Sequence, residues 1–127
     1  MKFSDVFPLF ESTEDCVDIV MDEGSAAACT PKQAVKFSRM KFEKILKAAQ
    51  KLRPDSYFYP ELGVFTCPLC TKFFREACKG CPIRNKAGKI KCVGTPYDDI
   101  VESSTVAEYI PALEAEIAFL KEIEAEL

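Results

Sequence analysis

The chain has 127 residues, of which 48% are hydrophobic and 29% are charged, and its formal net charge is −3. This length and composition are typical of one soluble domain with a single core, and no apolar run approaches the ~18 residues that cross a membrane. Histidine is absent, which excludes Ser-His-Asp and Cys-His catalytic groups and any imidazole-bound metal.

Charge is segregated along the chain. Residues 1–29 carry a formal charge of −6, residues 30–91 carry +11 and residues 92–127 carry −8. The acidic first segment has a strand-like patch at residues 16–21 but no sustained periodicity, so the sequence predicts irregular structure there. It also lacks the basic and apolar regions of a secretory signal, and we therefore expect an intracellular protein, in the host cytoplasm if the gene is viral.

A basic helix is predicted over residues 30–53. Thr30 is a typical N-cap, Pro31 suits the first helical position, and Gln33 completes a capping box. The helix should run to about residue 52, because the residue before Pro54 is pushed out of the α region. The apolar face consists of Val35, Phe42, Ile45, Leu46, Ala49 and Leu52, and the other faces carry Lys32, Lys36, Arg39, Lys41, Lys44, Lys47 and Lys51.

Two further elements are predicted from composition and periodicity. Residues 57–65 are aromatic but are interrupted by Pro60 and Gly63, which indicates a short hairpin or edge strand leading into the cysteine region. An amphipathic helix is predicted over residues 106–127, with Pro111 in its first turn. Its apolar stripe should pack against the basic helix or against a second subunit in a homodimer. The stripe comprises Ile110, Leu113, Ile117, Leu120 and Leu127.

Five cysteines lie within 26 residues of the central segment, residues 57–97. Four of them form two C-x-x-C units, which are typical of zinc sites because each unit makes a tight turn whose two sulfurs converge on one ion. The sequence therefore predicts one zinc ion per chain. The candidate ligands are Cys67, Cys70, Cys78, Cys81 and Cys92.

Tetrahedral zinc takes four ligands, so one of these five cysteines is expected to be spare. The first choice is Cys67, Cys70, Cys78 and Cys81, and the rival set replaces Cys78 with Cys92. An iron–sulfur cluster, a disulfide scaffold and a thiol redox role remain open. Amides are scarce while Lys and Glu are plentiful, a bias of hyperthermophile proteins, in which intracellular disulfides occur. Cys16 and Cys29 should be buried small hydrophobes or pair with each other.

The cysteine motifs and their surroundings resemble a set of small uncharacterised cysteine-cluster proteins encoded by phages, archaeal viruses and prokaryotic genomes. The resemblance covers roughly residues 34–121, and Phe42 stands where many of those proteins have tryptophan. It is carried by Ala34-Val35-Lys36-Phe37-Ser38, CPLC, CKGCPI, Cys92-Val-Gly-Thr-Pro-Tyr97 and Glu116-Ile-Ala-Phe-Leu120. It implies a zinc-binding protein of viral origin, with all five motif cysteines in the pattern and no activity to carry over.

The basic centre has the electrostatic pattern of a nucleic-acid-binding surface. The predicted contact residues are Lys36, Arg39, Lys44, Lys47, Lys72, Arg75 and Lys89. The opposing interpretation is intramolecular, since the two acidic ends of the chain could fold over this surface and neutralise it. Asp98 and Asp99 are expected to lie at a solvated helix start and not to form a catalytic carboxylate pair. The Gly-Thr-Pro-Tyr segment predicts a turn that packs Tyr97 against the core.

The sequence as a whole predicts a single domain that is mainly α, with a small irregular or β metal-binding region. Its two principal helices should pack together beside a cysteine-ligated zinc loop. The predicted function is a non-enzymatic zinc-binding module, viral in origin, that contacts nucleic acid or a partner protein, and no catalytic residue is assigned. An iron–sulfur or thiol redox protein is the first alternative, and a purely structural or accessory viral protein is the second.

Overall fold

The fold is mainly helical and contains two long helices. The computed structural model describes residues 1–10, 19–62, 66–73, 80–87 and 94–127. In chain order its helices are α1 Phe3–Val6, α2 Glu23–Ala28, α3 Pro31–Ala49, α4 Pro68–Phe73, α5 Pro82–Ala87, α6 Tyr97–Glu102 and α7 Val106–Glu126. None of the helices in these ranges combines the length and apolar character that a membrane-spanning segment needs.

Helix α3 begins where the sequence predicts. The Thr30 hydroxyl accepts a hydrogen bond from the Gln33 backbone N–H at 3.1 Å, and the Gln33 side chain accepts one from the Thr30 N–H at 2.9 Å. The regular helix ends at Ala49, slightly before the predicted residue 52. Leu52 is 43% exposed and so lies outside the apolar face to which the sequence analysis assigned it.

Helix α7 begins with a second capping box. Glu108 accepts hydrogen bonds from the backbone N–H and the hydroxyl of Thr105, at 3.1 and 3.0 Å. Pro111 is the sixth residue of the helix, so its predicted place in the first turn is wrong. The capping box starts the helix one turn earlier than the proline alone suggests. Leu127, which the sequence places in the apolar stripe, is 50% exposed. Ile123 is only 2% exposed and occupies the last buried position of the stripe in place of Leu127.

Helices α3 and α7 form the most extensive interface between elements and run antiparallel. Beyond the end of α3, the carbonyls of Pro54 and Ser56 accept hydrogen bonds from Ala107 and Val106 in the first turn of α7. At the opposite end, Arg39 reaches the last turns of α7. The side chains that the two helices bury in the common core include Val35, Phe42, Ile45, Leu113, Ile117 and Leu120.

Within its described residues the acidic first segment contains two short helices, which corrects the prediction of irregular structure. Helix α1 is held by an aromatic cluster in which Phe3 meets Phe7, Phe10 and Phe37 with ring centroids 5.0 to 6.3 Å apart. Helix α2 is capped by Asp22, whose carboxylate accepts the Ser25 N–H at 2.9 Å. Of the predicted strand-like patch, residues 19–21 are not in a strand, and residues 16–18 lie outside the described ranges.

Neither the hairpin nor the edge strand predicted at residues 57–65 forms over residues 57–62, which hold only an isolated bridge, and residues 63–65 lie outside the described part of the chain. This segment pairs with a distant part of the chain. Tyr57 forms an isolated antiparallel bridge with Thr105, and the Phe58 N–H donates to the Ser104 carbonyl at 3.0 Å. The backbone groups that a hairpin would pair internally are therefore used to hold the start of α7.

Placing a charge in the α3–α7 interface should destabilise the protein. Leu120 is completely buried, so Leu120→Asp should lower the free energy of unfolding by about 3 kcal/mol or more. Ala118→Asp is the matched control, because Ala118 is exposed on the same helix. Urea denaturation of both variants measures the effect, and equal stability of Leu120→Asp and wild type would show that the stripe is not buried.

Candidate metal centre

Cys67 and Cys70 lie together on the first turn of α4. Cys67 directly precedes Pro68, the first residue of the helix, and proline suits this position because its missing N–H has no helical partner to lose. The backbone N–H of Cys70 lies 3.4 Å from the Cys67 sulfur. Pro68 and Leu69 between them are buried, and they anchor the turn in the core. The C-x-x-C unit therefore presents two sulfurs from one anchored turn.

The thiol of Cys67 is more acidic than an ordinary cysteine. Its pKa is lowered from 9.0 to about 6, first by a hydrogen bond from the Cys70 thiol. The positive charge of Lys41 and the backbone N–H groups of Cys70 and Leu69 lower it further, while burial opposes them. The lowered pKa favours the thiolate of Cys67, which is the form that binds metals and attacks disulfides.

Lys41 is buried beside this turn, although the sequence analysis placed it among the exposed basic residues of α3. Only 3% of Lys41 is exposed, and its ammonium donates to the carbonyl and the hydroxyl of Thr66 at 3.0 and 2.8 Å. A buried charge is tolerated when it is hydrogen-bonded and faces an opposite charge. A signal was present, because Lys41 lies four residues from both Phe37 and Ile45, which are buried.

Glu116 of α7 is a second buried ionisable side chain near Cys67, and the sequence analysis missed it. It is 2% exposed, and its Oε2 has no hydrogen-bond partner among the described residues. Burial first, and then the negative charge of Cys67, raise its pKa from 4.5 to about 7, against a backbone hydrogen bond of Tyr97. Glu116 lies three residues after Leu113 and four before Leu120, and this helical spacing places it in the apolar stripe of α7.

Of the three remaining predicted ligands, only Cys81 lies within the described ranges. Cys81 is buried and directly precedes Pro82, which begins α5. Cys78 and Cys92 lie outside the described ranges. Among the residues within those ranges, no three Cys, Asp or Glu side chains group closely enough to hold a metal ion. The structure thus brings Cys67 and Cys70 together, and the complete four-ligand set stays a prediction.

Cys16 and Cys29 lie outside the metal-binding motif, and of the two only Cys29 is within the described ranges. Cys29 is 2% exposed, as expected for a small hydrophobe, and its thiol donates to the Ala26 carbonyl at 3.0 Å. Burial raises the pKa of this thiol, so Cys29 is protonated at neutral pH. Cys16 lies outside the described ranges, and its pairing with Cys29 stays a prediction.

The predicted nucleic-acid contacts fall into three groups. Lys36 and Lys47 are exposed on α3, whereas Arg75 and Lys89 lie outside the described ranges. The others make contacts within the chain. Arg39 donates to Glu124 at 2.7 Å and also pairs with Glu43, the Lys44 ammonium lies 5.5 Å from the centre of the Phe3 ring, and Lys72 donates to the carbonyls of Ala27 and Cys29.

The Gly-Thr-Pro-Tyr segment forms the predicted turn. Gly94 has a φ of +80°, which glycine adopts readily, and its N–H donates to the Asp98 carboxylate at 2.8 Å. Asp98 thus stabilises the turn that begins α6. Tyr97 packs edge-on against Phe42, with ring centroids 6.4 Å apart, so the expected contact of Tyr97 with the core is confirmed.

Comparisons with protein-family models, curated proteins and solved structures find no match to this chain.

The buried carboxyl of Glu116 should make stability depend on pH. Its folded-state pKa of about 7 exceeds the ordinary 4.5, so the native state holds a proton that the unfolded state has lost. The metal-free protein should therefore lose stability as pH rises from about 4.5 to 7. Glu116→Gln should remove this loss and gain on the order of 2 kcal/mol at pH 8, with little gain at pH 4.

Urea denaturation of both proteins across this pH range tests the prediction. Glu114→Gln is the control, because Glu114 is exposed on the same helix and should leave the pH profile unchanged. Parallel profiles for wild type and Glu116→Gln would contradict the assignment of a raised pKa to Glu116.

Proposed function

We propose that this chain is a non-enzymatic thiolate metal-binding module, with zinc as its first metal, that contacts nucleic acid or a partner protein inside a cell. A viral gene would place it in the host cytoplasm. The observation that carries the proposal is the anchored turn on which Cys67 and Cys70 lie together, with the Cys70 backbone N–H directed at the Cys67 sulfur. A metal ion needs converging thiolates, and this turn supplies the first pair.

The donor set suits zinc, because sulfur is a favoured zinc ligand and the chain has no histidine to compete. The hydrogen bond from the Cys70 backbone N–H to the Cys67 sulfur is the kind of contact that orients a metal ligand and spreads its negative charge. Cys81, with Cys78 or Cys92, would complete four thiolates. When bound, the ion would link the first turn of α4 to Cys81 at the start of α5.

An alternative use of the same pair is thiol–disulfide chemistry. A thiolate with a pKa of about 6 at Cys67, hydrogen-bonded to a second thiol three residues later, is also the arrangement of a redox-active C-x-x-C. This alternative needs only Cys67 and Cys70, whereas a zinc site needs further ligands. An iron–sulfur cluster would use the same larger set as zinc and would colour the protein.

Elemental analysis of the purified protein should find one zinc ion per chain. Cys67→Ser and Cys81→Ser should each lower the zinc content and destabilise the central region, because metal binding and local folding are coupled. Cys16→Ser should be tolerated. Cys29→Ala is the matched control, since Cys29 is a buried cysteine whose thiol bonds to Ala26, and it should retain zinc.

Three results would point elsewhere. Absence of both zinc and iron, together with oxidised thiols, would contradict the metal site and favour the redox alternative. Iron with visible absorbance would favour a cluster. Full zinc content in Cys67→Ser and Cys81→Ser would show that the metal is bound by other groups.

Nucleic acid is the partner that a second observation favours. Lys47 is exposed in the last turn of α3, and beyond the end of this helix Tyr57 and Tyr59 expose 69% and 68% of their surface. Their rings are stacked, with centroids 6.4 Å apart and planes within 7° of parallel. Exposed aromatic rings beside cationic groups are the usual means of binding single strands, through base stacking and phosphate contacts.

Binding should therefore show little sequence preference and should weaken steeply with salt, because phosphate contacts release counterions. Fluorescence anisotropy with single- and double-stranded DNA and RNA in ~50 mM salt, where such contacts are strong, measures it. Lys47→Glu should weaken binding. Lys121→Glu, the same charge change at an exposed position of α7, should not. Absence of binding to every nucleic acid would favour a protein partner or a purely structural role.

A further inference from the structure

We propose that Lys41 is the internal counter-charge of the thiolate metal site, a residue that strengthens metal binding through its charge without contacting the metal. The inference rests on the proposed function, because it assigns a role to a residue around the same site. The sequence motif does not include Lys41, which lies on α3 and is 26 residues from Cys67 in the chain.

The position of the Lys41 ammonium is fixed by the residue next to the metal ligand. The carbonyl of Thr66, which belongs to the peptide bond with Cys67, accepts one hydrogen bond at 3.0 Å, and the Thr66 hydroxyl accepts another at 2.8 Å. Thr66 is itself 4% exposed. The cation is thus held beside the backbone of the ligand in a place that water hardly reaches.

The electrostatic need for such a cation follows from the chemistry of the site. Zinc bound by four thiolates carries a net charge of −2, and a charge in a poorly solvated place needs a nearby charge of the opposite sign. Lys41 is 3% exposed, so its attraction for the sulfurs is not screened by solvent as it would be at the surface. An exposed lysine could not supply the same stabilisation.

Glu116, a second buried ionisable side chain near Cys67, has the opposite sign from Lys41 and provides a control of direction. Glu116 reaches the neighbourhood of Cys67 from α7 and is 2% exposed. A carboxylate beside thiolates repels them, so Glu116→Gln should strengthen metal binding while Lys41→Met weakens it. Opposite effects of two buried substitutions cannot both come from general loosening of the core.

Competitive zinc titration with a chromophoric chelator tests the inference on the intact protein. Lys41→Met, which keeps the length of the side chain and removes its charge, should bind zinc about 10- to 100-fold more weakly, as is typical when a group that supports a metal ligand is lost. Lys44→Met is the matched control, because it removes the same charge from the same helix at a half-buried position against Phe3. Its affinity should equal that of wild type.

The outcomes separate the inference from the proposed function. If wild-type protein binds no zinc, both fall. If wild type binds zinc and Lys41→Met binds it equally tightly, or if Lys44→Met is weakened as much as Lys41→Met, the inference alone falls.

A measurement on wild-type protein guards against a Lys41→Met variant that does not fold. Anionic iodoacetate and neutral iodoacetamide both alkylate thiolates, so the ratio of their rates at Cys67 reports the local charge and is independent of the thiolate fraction. Peptide mass spectrometry of the metal-free protein gives this ratio. It should be higher in the native state than in urea, because Lys41 attracts the anionic reagent, and a native ratio equal to or below that in urea would overturn the inference.

Discussion

The antiparallel packing of α3 against α7 determines where Lys41 and Glu116 lie relative to Cys67. The two helices share one apolar seam, and α4 docks on α3 so that Cys67 comes close to the seam. From α3 the Lys41 ammonium binds Thr66, the residue before Cys67, and from α7 the buried Glu116 lies near the same thiol. Because the core is close-packed, a shift of either helix would move one of these charges relative to the thiol. The chemistry of the site is thus coupled to the main helix interface.

The segregation of charge in the sequence is partly resolved within the fold. The acidic α7 supplies Glu124 to Arg39 and Glu126 to Lys86, so acidic residues do cover some of the basic centre. Such pairs contribute little stability when they are exposed, about 0–1 kcal/mol each. Their main effect is to occupy cations that would otherwise face a ligand. Lys36 and Lys47 are exposed on α3, and the surface proposed for nucleic acid is correspondingly smaller than the sequence suggests.

Local signals in the sequence predicted the long helices, and tertiary contacts decided the rest. The α3 boundary was predictable because Thr30 and Gln33 satisfy each other within one turn. The hairpin at residues 57–65 failed because Tyr57 and Phe58 pair with residues more than 40 positions away. The C-x-x-C turn followed from its spacing. The burial of Lys41 and Glu116 did not follow from residue type, because charged residues are normally exposed; only their spacing from apolar residues on the same helix indicated it.

X-ray absorption spectroscopy of the purified protein tests the central claim, that a thiolate-bound metal organises the middle of this chain, most directly. The edge energy identifies the element, and the fine structure gives its ligand distances. A zinc edge with a single shell of sulfur neighbours at about 2.3 Å is the predicted result. A metal surrounded only by oxygen or nitrogen at about 2.0–2.2 Å, or no bound metal at all, would contradict the account.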